Sequence, residues 1–123
     1  MPILLVFLGG GFGAVGRYLS GVAYGRVFGP NHPYAATFFV NVLGGLLMGV
    51  LIETLALRGG AGQDKWRLFL AVGVLGGFTT FSSFSLEAVL MLKRHAYGAA
   101  ALYILGSVAL SILALLIGLR LAR

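Results

Sequence analysis

Gly76-Gly77-Phe78-Thr79-Thr80-Phe81-Ser82-Ser83-Phe84-Ser85 lies between two apolar runs, residues 68–75 and 86–92. Together the three stretches make one segment long enough to cross a bilayer, which takes about 20 apolar residues. Glycines, hydroxyls and spaced aromatics then fall near the membrane centre, where unsatisfied backbone and polar groups are costly. Such a segment is expected to break its helix there and to bind or pass something. Gly76 and Gly77 accept backbone angles closed to other residues. Unwound backbone frees carbonyl oxygens, which are good ligands for a hard cation such as Na⁺. A dimer axis through this point would bring two sets of carbonyls together.

The rest of the chain has the same apolar character. Of its 123 residues, 59% are hydrophobic and only 10% charged, against roughly 25% charged in soluble domains. The mean hydropathy is +1.00. Single-domain length with short loops allows four spans, at about residues 3–22, 34–57, 68–92 and 96–121. Gly29-Pro30-Asn31-His32-Pro33 reads as the turn between the first two, and the polar residues 58–67 join the second to the third. Residues 1–8 lack a basic region and a cleavage site, so they read as the start of span one rather than a signal peptide. The expected fold is an all-α integral membrane domain over 1–123.

The net charge of +6 would point to nucleic acid in a soluble protein. Here the cations flank apolar runs, as expected at membrane interfaces, so no nucleic-acid partner is expected. An even number of spans puts both termini on one side, with Arg58, Lys65, Arg67, Arg120 and Arg123. The other side carries Arg17, Arg26, Lys93 and Arg94. Five cations against four give almost no orientation signal. A chain without bias can insert both ways, and the two orientations can pair as an antiparallel dimer.

Gly11, Gly13 and Gly16 satisfy GxGxxG literally, but no acid follows before Glu53, and a dinucleotide fingerprint needs one about 20 positions on. Small residues in a membrane span instead permit close helix packing. Gly9/Gly13 and Gly45/Gly49 are GxxxG pairs.

Chemistry has few candidates. The only acids are Glu53, Asp64 and Glu87, the histidines are His32 and His95, and there is no cysteine. No nucleophile–base pair or metal constellation is visible, so no enzyme is expected. A small four-span cation exporter needs a buried acid in its first span, and span one has none. A third reading is a non-transporting scaffold whose glycines only mediate packing; it has no use for polar groups at mid-membrane. Most polar groups within the spans are neutral donors: Thr37 and Asn41, then Thr79, Thr80, Ser82, Ser83 and Ser85, then Tyr103, Ser107 and Ser111. The last three stand four apart and draw one stripe along a helix. Such donors suit an anion better than a cation. Phe81 and Phe84 share a face if the helix resumes there, and ring edges carry partial positive charge. Arg17 either snorkels to the interface or lines a vestibule that attracts anions.

These residues together resemble the Fluc (CrcB-type) fluoride channel family. The resemblance rests on Gly11-Phe-Gly-Ala-Val-Gly16-Arg17-Tyr18, on Thr37-Phe-Phe-Val-Asn41-Val-Leu-Gly44, on the 76–85 motif and on the Tyr103, Ser107, Ser111 stripe. Phe78 stands where the family is expected to have an aliphatic residue. The resemblance implies an antiparallel dual-topology homodimer in the inner (plasma) membrane, with two pores for passive fluoride export. It carries the paired pore phenylalanines to Phe81 and Phe84, the pore asparagine to Asn41 and the polar lining to Thr80, Ser83, Tyr103, Ser107 and Ser111. The vestibule arginine becomes Arg17. A structural Na⁺ at the dimer centre would take the backbone carbonyls of Gly76 and Thr79 from both subunits. Glu87, just past the break, is a candidate dimer-interface or vestibule residue and receives no assigned role.

Overall fold

A computed structural model of the chain describes residues 2–29, 33–58 and 60–123. Residues 30–32 of the expected turn from Gly29 to Pro33 lie outside the described residues. Helix α1 is Pro2–Phe28, α2 is Pro33–Arg58, and a 3₁₀ turn, Gly60–Gly62, leads into the third span. That span has two halves, α3 (residues 63–78) and α4 (Phe81–Lys93), and α5 is Tyr97–Leu121. Four segments, Pro2–Phe28, Tyr34–Arg58, Gly60–Lys93 and Tyr97–Leu121, are long and apolar enough to cross a membrane. The protein is all-helical over the described residues and has the build of a multi-pass membrane protein.

Helix α1 outlasts its apolar run by six residues. The ladder continues through Tyr24 and Arg26, where the Tyr24 and Phe28 rings sit 4.7 Å apart. It stops at Gly29, whose φ of +90° is left-handed and whose N–H closes on Gly25 O at 2.9 Å. Glycine takes that conformation without a Cβ penalty. The α4–α5 turn ends differently, on His95 with φ +61°. Its Nδ1 lies 2.9 Å from Tyr97 Oη, a local contact at a position where glycine is usual.

The third span breaks near its middle, but not at the glycines. Gly76 is right-handed helical, with φ −61° and ψ −39°. The extended residues are Thr79 (φ −81°, ψ 158°) and Thr80 (φ −149°, ψ 122°). Gly76 and Gly77 are thus not the unwound residues. Gly77 serves packing instead, since a Cβ there would come within 2.5 Å of Gly10 O. Before the break the helix is wide: Arg67–Leu75 is π-helical, and the Gly76 N–H reaches five residues back to Ala71 O. π segments usually last a single turn and mark functional places.

The helices pack as two pairs, α1 on α3 and α2 on α5, with α4 against α5 and α2. Glycine contacts make both pairs close. A Cβ on Gly9 would overlap Phe69 O, and one on Gly13 would overlap Val74 O and lie 2.8 Å from Phe78 N. In the second pair, a Cβ on Gly45 would lie 2.7 Å from Ser111 O, and one on Gly118 would lie 2.9 Å from Val50 N. Both GxxxG pairs therefore sit at helix crossings, where van der Waals contact replaces the hydrophobic drive that lipid removes. Little else is fully buried. Phe84, Ala88, Met91, Ala100 and Tyr103 form one small core between α4 and α5. Most large apolar side chains face outward, as a bilayer requires.

Candidate functional site

The break is held from α2. Asn41 Nδ2 donates to Thr80 O at 3.0 Å, and the Thr80 N–H donates to Asn41 Oδ1 at 2.9 Å. This two-point link pairs an amide side chain with extended backbone across 39 residues of sequence. The second Nδ2 hydrogen remains available, since an amide nitrogen carries two. Thr80 Oγ1 then caps α4 by accepting the Ser83 N–H at 3.2 Å, the usual work of a threonine at a helix N-cap. Thr79 Oγ1 donates to Leu75 O at 2.9 Å and closes the end of α3.

These bonds have a consequence for the carbonyls. In an unbroken helix the Thr80 N–H would close on Gly76 O and the Ser83 N–H on Thr79 O. Both donors go elsewhere, to Asn41 and to the Thr80 hydroxyl. Gly76 O and Thr79 O therefore lose their helical partners at the negative end of α3. They are the two carbonyls to which the resemblance assigns Na⁺, and neutral carbonyl oxygen is the donor type that such an ion takes.

Two recesses flank the break. The first, about 400 Å³, is lined by Asn41, Thr79, Thr80, Phe81, Phe84, Ser107 and Ser111, with apolar α2 and α5 side chains around them. The second, about 390 Å³, is lined by Arg17, Thr37, Thr80, Ser83 and Glu87 among others. Thr80 borders both. The Phe81 and Phe84 rings lie 5.6 Å apart, tilted by 44°. Phe84 is buried, whereas Phe81 is 77% exposed. The Ser107 hydroxyl is buried in the first recess without a hydrogen-bond partner, although buried polar groups normally find one.

The stripe on α5 divides. Ser107 and Ser111 face the first recess, but Tyr103 lines neither. Its ring packs 5.1 Å from Phe84, and its hydroxyl donates to Glu87 Oε2 at 3.2 Å. Thr37 Oγ1 donates to Glu87 Oε1 at 2.6 Å. Glu87 thus sits between two donors, with Arg17 on the same recess and its buried Nε unpartnered. Arg17 lines this recess together with Thr37, Thr80 and Ser83. Glu87 places a carboxylate on this recess among the neutral donors. Sequence reasoning left Glu87 and Thr37 without roles. A signal was present: Thr37/Asn41 and Ser83/Glu87 are i, i+4 pairs, so each shares a helix face with a residue already singled out.

Residues 4–119 match the family described as CrcB-like protein, Camphor Resistance (CrcB). The chain belongs to the CrcB-like family. It is 61% identical over 121 residues, 98% of this chain and 94% of the relative, to the "Fluoride-specific ion channel FluC" of Phenylobacterium zucineum. Proteins of the same name from Caulobacter sp. and Rhodopseudomonas palustris are 57% identical over 121 residues and 54% over 123. Those matches cover 98% and 100% of this chain and 94% and 98% of the relatives. These names are of ion channels and not of enzymes, in agreement with the expectation from the sequence.

Proposed function

We propose that this protein is a fluoride-selective channel of the inner membrane that lets fluoride leave the cytoplasm passively. Its near-whole-length relatives are named as fluoride channels. The observation that carries the reading onto these residues is the first recess. There the Phe81–Phe84 pair and the unpartnered Ser107 hydroxyl meet beside the helix break. Fluoride holds water strongly, so a path must offer replacement donors. Ser107, Ser111 and the second Asn41 N–H supply hydrogen-bond donors, and ring edges add partial positive charge. A lining without full positive charges lets the ion leave again, as conduction requires. Arg17, in the second recess, raises the local anion concentration at the entrance, while Glu87 orders Thr37 and Tyr103 beside it.

The active form in this reading is an antiparallel dual-topology homodimer with two pores. The near balance of cations between the two ends supports it, as does the exposure of Phe81 beside an apolar recess that a second copy would cover. A structural Na⁺ fits the Gly76 and Thr79 carbonyls of two subunits, whose helical donors are diverted. When bound it would supply charge neutralisation where two helix C-termini meet.

Fluoride efflux from liposomes holding the purified protein, followed by an electrode with chloride as the control ion, tests the function. Rapid fluoride release without chloride release is the expected result; no release from a well-folded dimer would overturn it. Labelling tags at both termini from each side of the membrane tests the topology. Labelling from one side alone would exclude the dual arrangement.

A further inference from the structure

We infer that Gly44 is a positioning residue of the ion path: its missing Cβ seats the Thr79 methyl and thereby fixes where the chain breaks beside Phe81 and Phe84. The inference rests on the channel reading above. Helix α2 presents Asn41 and Gly44 one turn apart, on one face. Asn41 holds the backbone of Thr80, and Gly44 receives the side chain of the residue before it. A Cβ on Gly44 would overlap Thr79 Cγ2, while Thr79 Cβ and Phe78 Cδ2 would stand at 3.7 Å, ordinary contact distance.

Gly44 differs in this from the other closely approached glycines. Those at positions 9, 13, 45, 49, 73, 77 and 118 meet backbone, so they set helix–helix distance. Among the described glycines, Gly44 is the one whose Cβ would overlap a side chain instead. That side chain lines the first recess.

The methyl has no free escape. Thr79 Oγ1 donates to Leu75 O at 2.9 Å. Methyl and hydroxyl hang from one Cβ, so rotating the methyl away from α2 swings the hydroxyl off its acceptor. Threonine has few χ1 wells to choose from. The remaining response is a shift of the Thr79 backbone, and the next residue, Thr80, is the one whose N–H and C=O Asn41 grips. An added methyl at position 44 therefore either breaks the Thr79–Leu75 bond or pulls on the Asn41–Thr80 link. Each moves the start of α4, and Phe81 with it.

The test is a rescue series in fluoride-loaded liposomes: wild type, Gly44→Ala, Thr79→Ser, Gly44→Ala/Thr79→Ser and Gly44→Ala/Thr79→Val. Thr79→Ser keeps the hydroxyl and deletes the methyl, which leaves Cβ at 3.7 Å as the nearest atom of residue 79 to a new alanine. Gly44→Ala is expected to slow efflux about tenfold, the factor that goes with forfeiting one hydrogen bond. Thr79→Ser alone sets the reference rate against which the serine double mutant is read. The serine double mutant returns to the level of Thr79→Ser, and the valine double mutant, with methyls but no hydroxyl, stays slow. If Gly44→Ala fails to fold, a folded and conducting serine double mutant is the same rescue. Wild-type flux from Gly44→Ala, or a serine double mutant as slow or unfolded as Gly44→Ala, overturns the inference. A wild type without fluoride flux overturns the channel reading instead, which the same assay shows separately.

Discussion

Replacing Asn41 with alanine removes both halves of the link to Thr80 at once. The cost can be bounded. Interhelical hydrogen bonds in membrane proteins average about 0.6 kcal/mol and reach about 1.7. Two bonds therefore contribute about 1–3 kcal/mol, toward the upper end because the Thr80 N–H and C=O are backbone groups left without partners. Thr80 borders both recesses, so water can reach the freed groups and keep the loss from growing larger. A protein with a net stability of about 5–15 kcal/mol survives that loss folded. Flux should suffer more than stability, because the freed Thr80 backbone can resume helical bonding toward Gly76 and move the N-cap that orients α4. Asn41→Ala is expected to remain folded, to lose a few degrees of melting temperature in detergent, and to lose fluoride efflux. Asn41→Asp refines the test: one carboxylate oxygen still accepts the Thr80 N–H, but the other faces Thr80 O without a proton. It should retain part of the stability and little of the flux. Wild-type efflux from Asn41→Ala, with melting unchanged, would refute the idea that this side chain holds the break.

Further expectations follow from burial and packing. Phe84→Ala empties a buried site against Tyr103 and should cost about 3–5 kcal/mol, whereas Phe81→Ala, 77% exposed, should abolish flux with little change in subunit stability; equal melting losses would refute the distinction. Gly13→Ala places a Cβ against the α3 backbone, while Gly10→Ala meets nothing within 4 Å. The first should lower the melting temperature and the second should raise or preserve it, since alanine is favoured over glycine in a helix by about 1 kcal/mol. Glu87→Ala deprives both Thr37 and Tyr103 of their acceptor and should slow efflux, with Glu87→Gln, which keeps an acceptor oxygen, intermediate; a Gln variant slower than Ala would argue against an ordering role. Replacing Na⁺ with a bulky organic cation throughout purification and assay should weaken the dimer on size exclusion, and an unchanged dimer would count against the Gly76/Thr79 cation site.

Four apolar runs with short polar joints sufficed to place the spans, because twenty-odd predominantly apolar residues, each run with a single charge, have few alternatives to a membrane helix. The same holds for the paired small residues: spacing alone puts Gly9/Gly13 and Gly45/Gly49 on single helix faces. A break within 76–85 was also legible, from hydroxyls and glycines at mid-span. Its exact place was not. Glycine permits unwinding but does not require it, and Gly76 stayed helical while Thr79 and Thr80 became extended. What decided this lay 39 residues away, in an asparagine whose amide satisfies both the N–H and the C=O of the extended Thr80. Long-range pairing of that kind leaves no local trace. Glu87 stood out in the sequence but received no assigned role, since its partners, Thr37 on α2 and Tyr103 on α5, are brought to it by the tertiary structure. Local chemistry thus determined which segments cross the membrane, whereas tertiary contacts decided which backbone groups and hydroxyls are free to meet an ion.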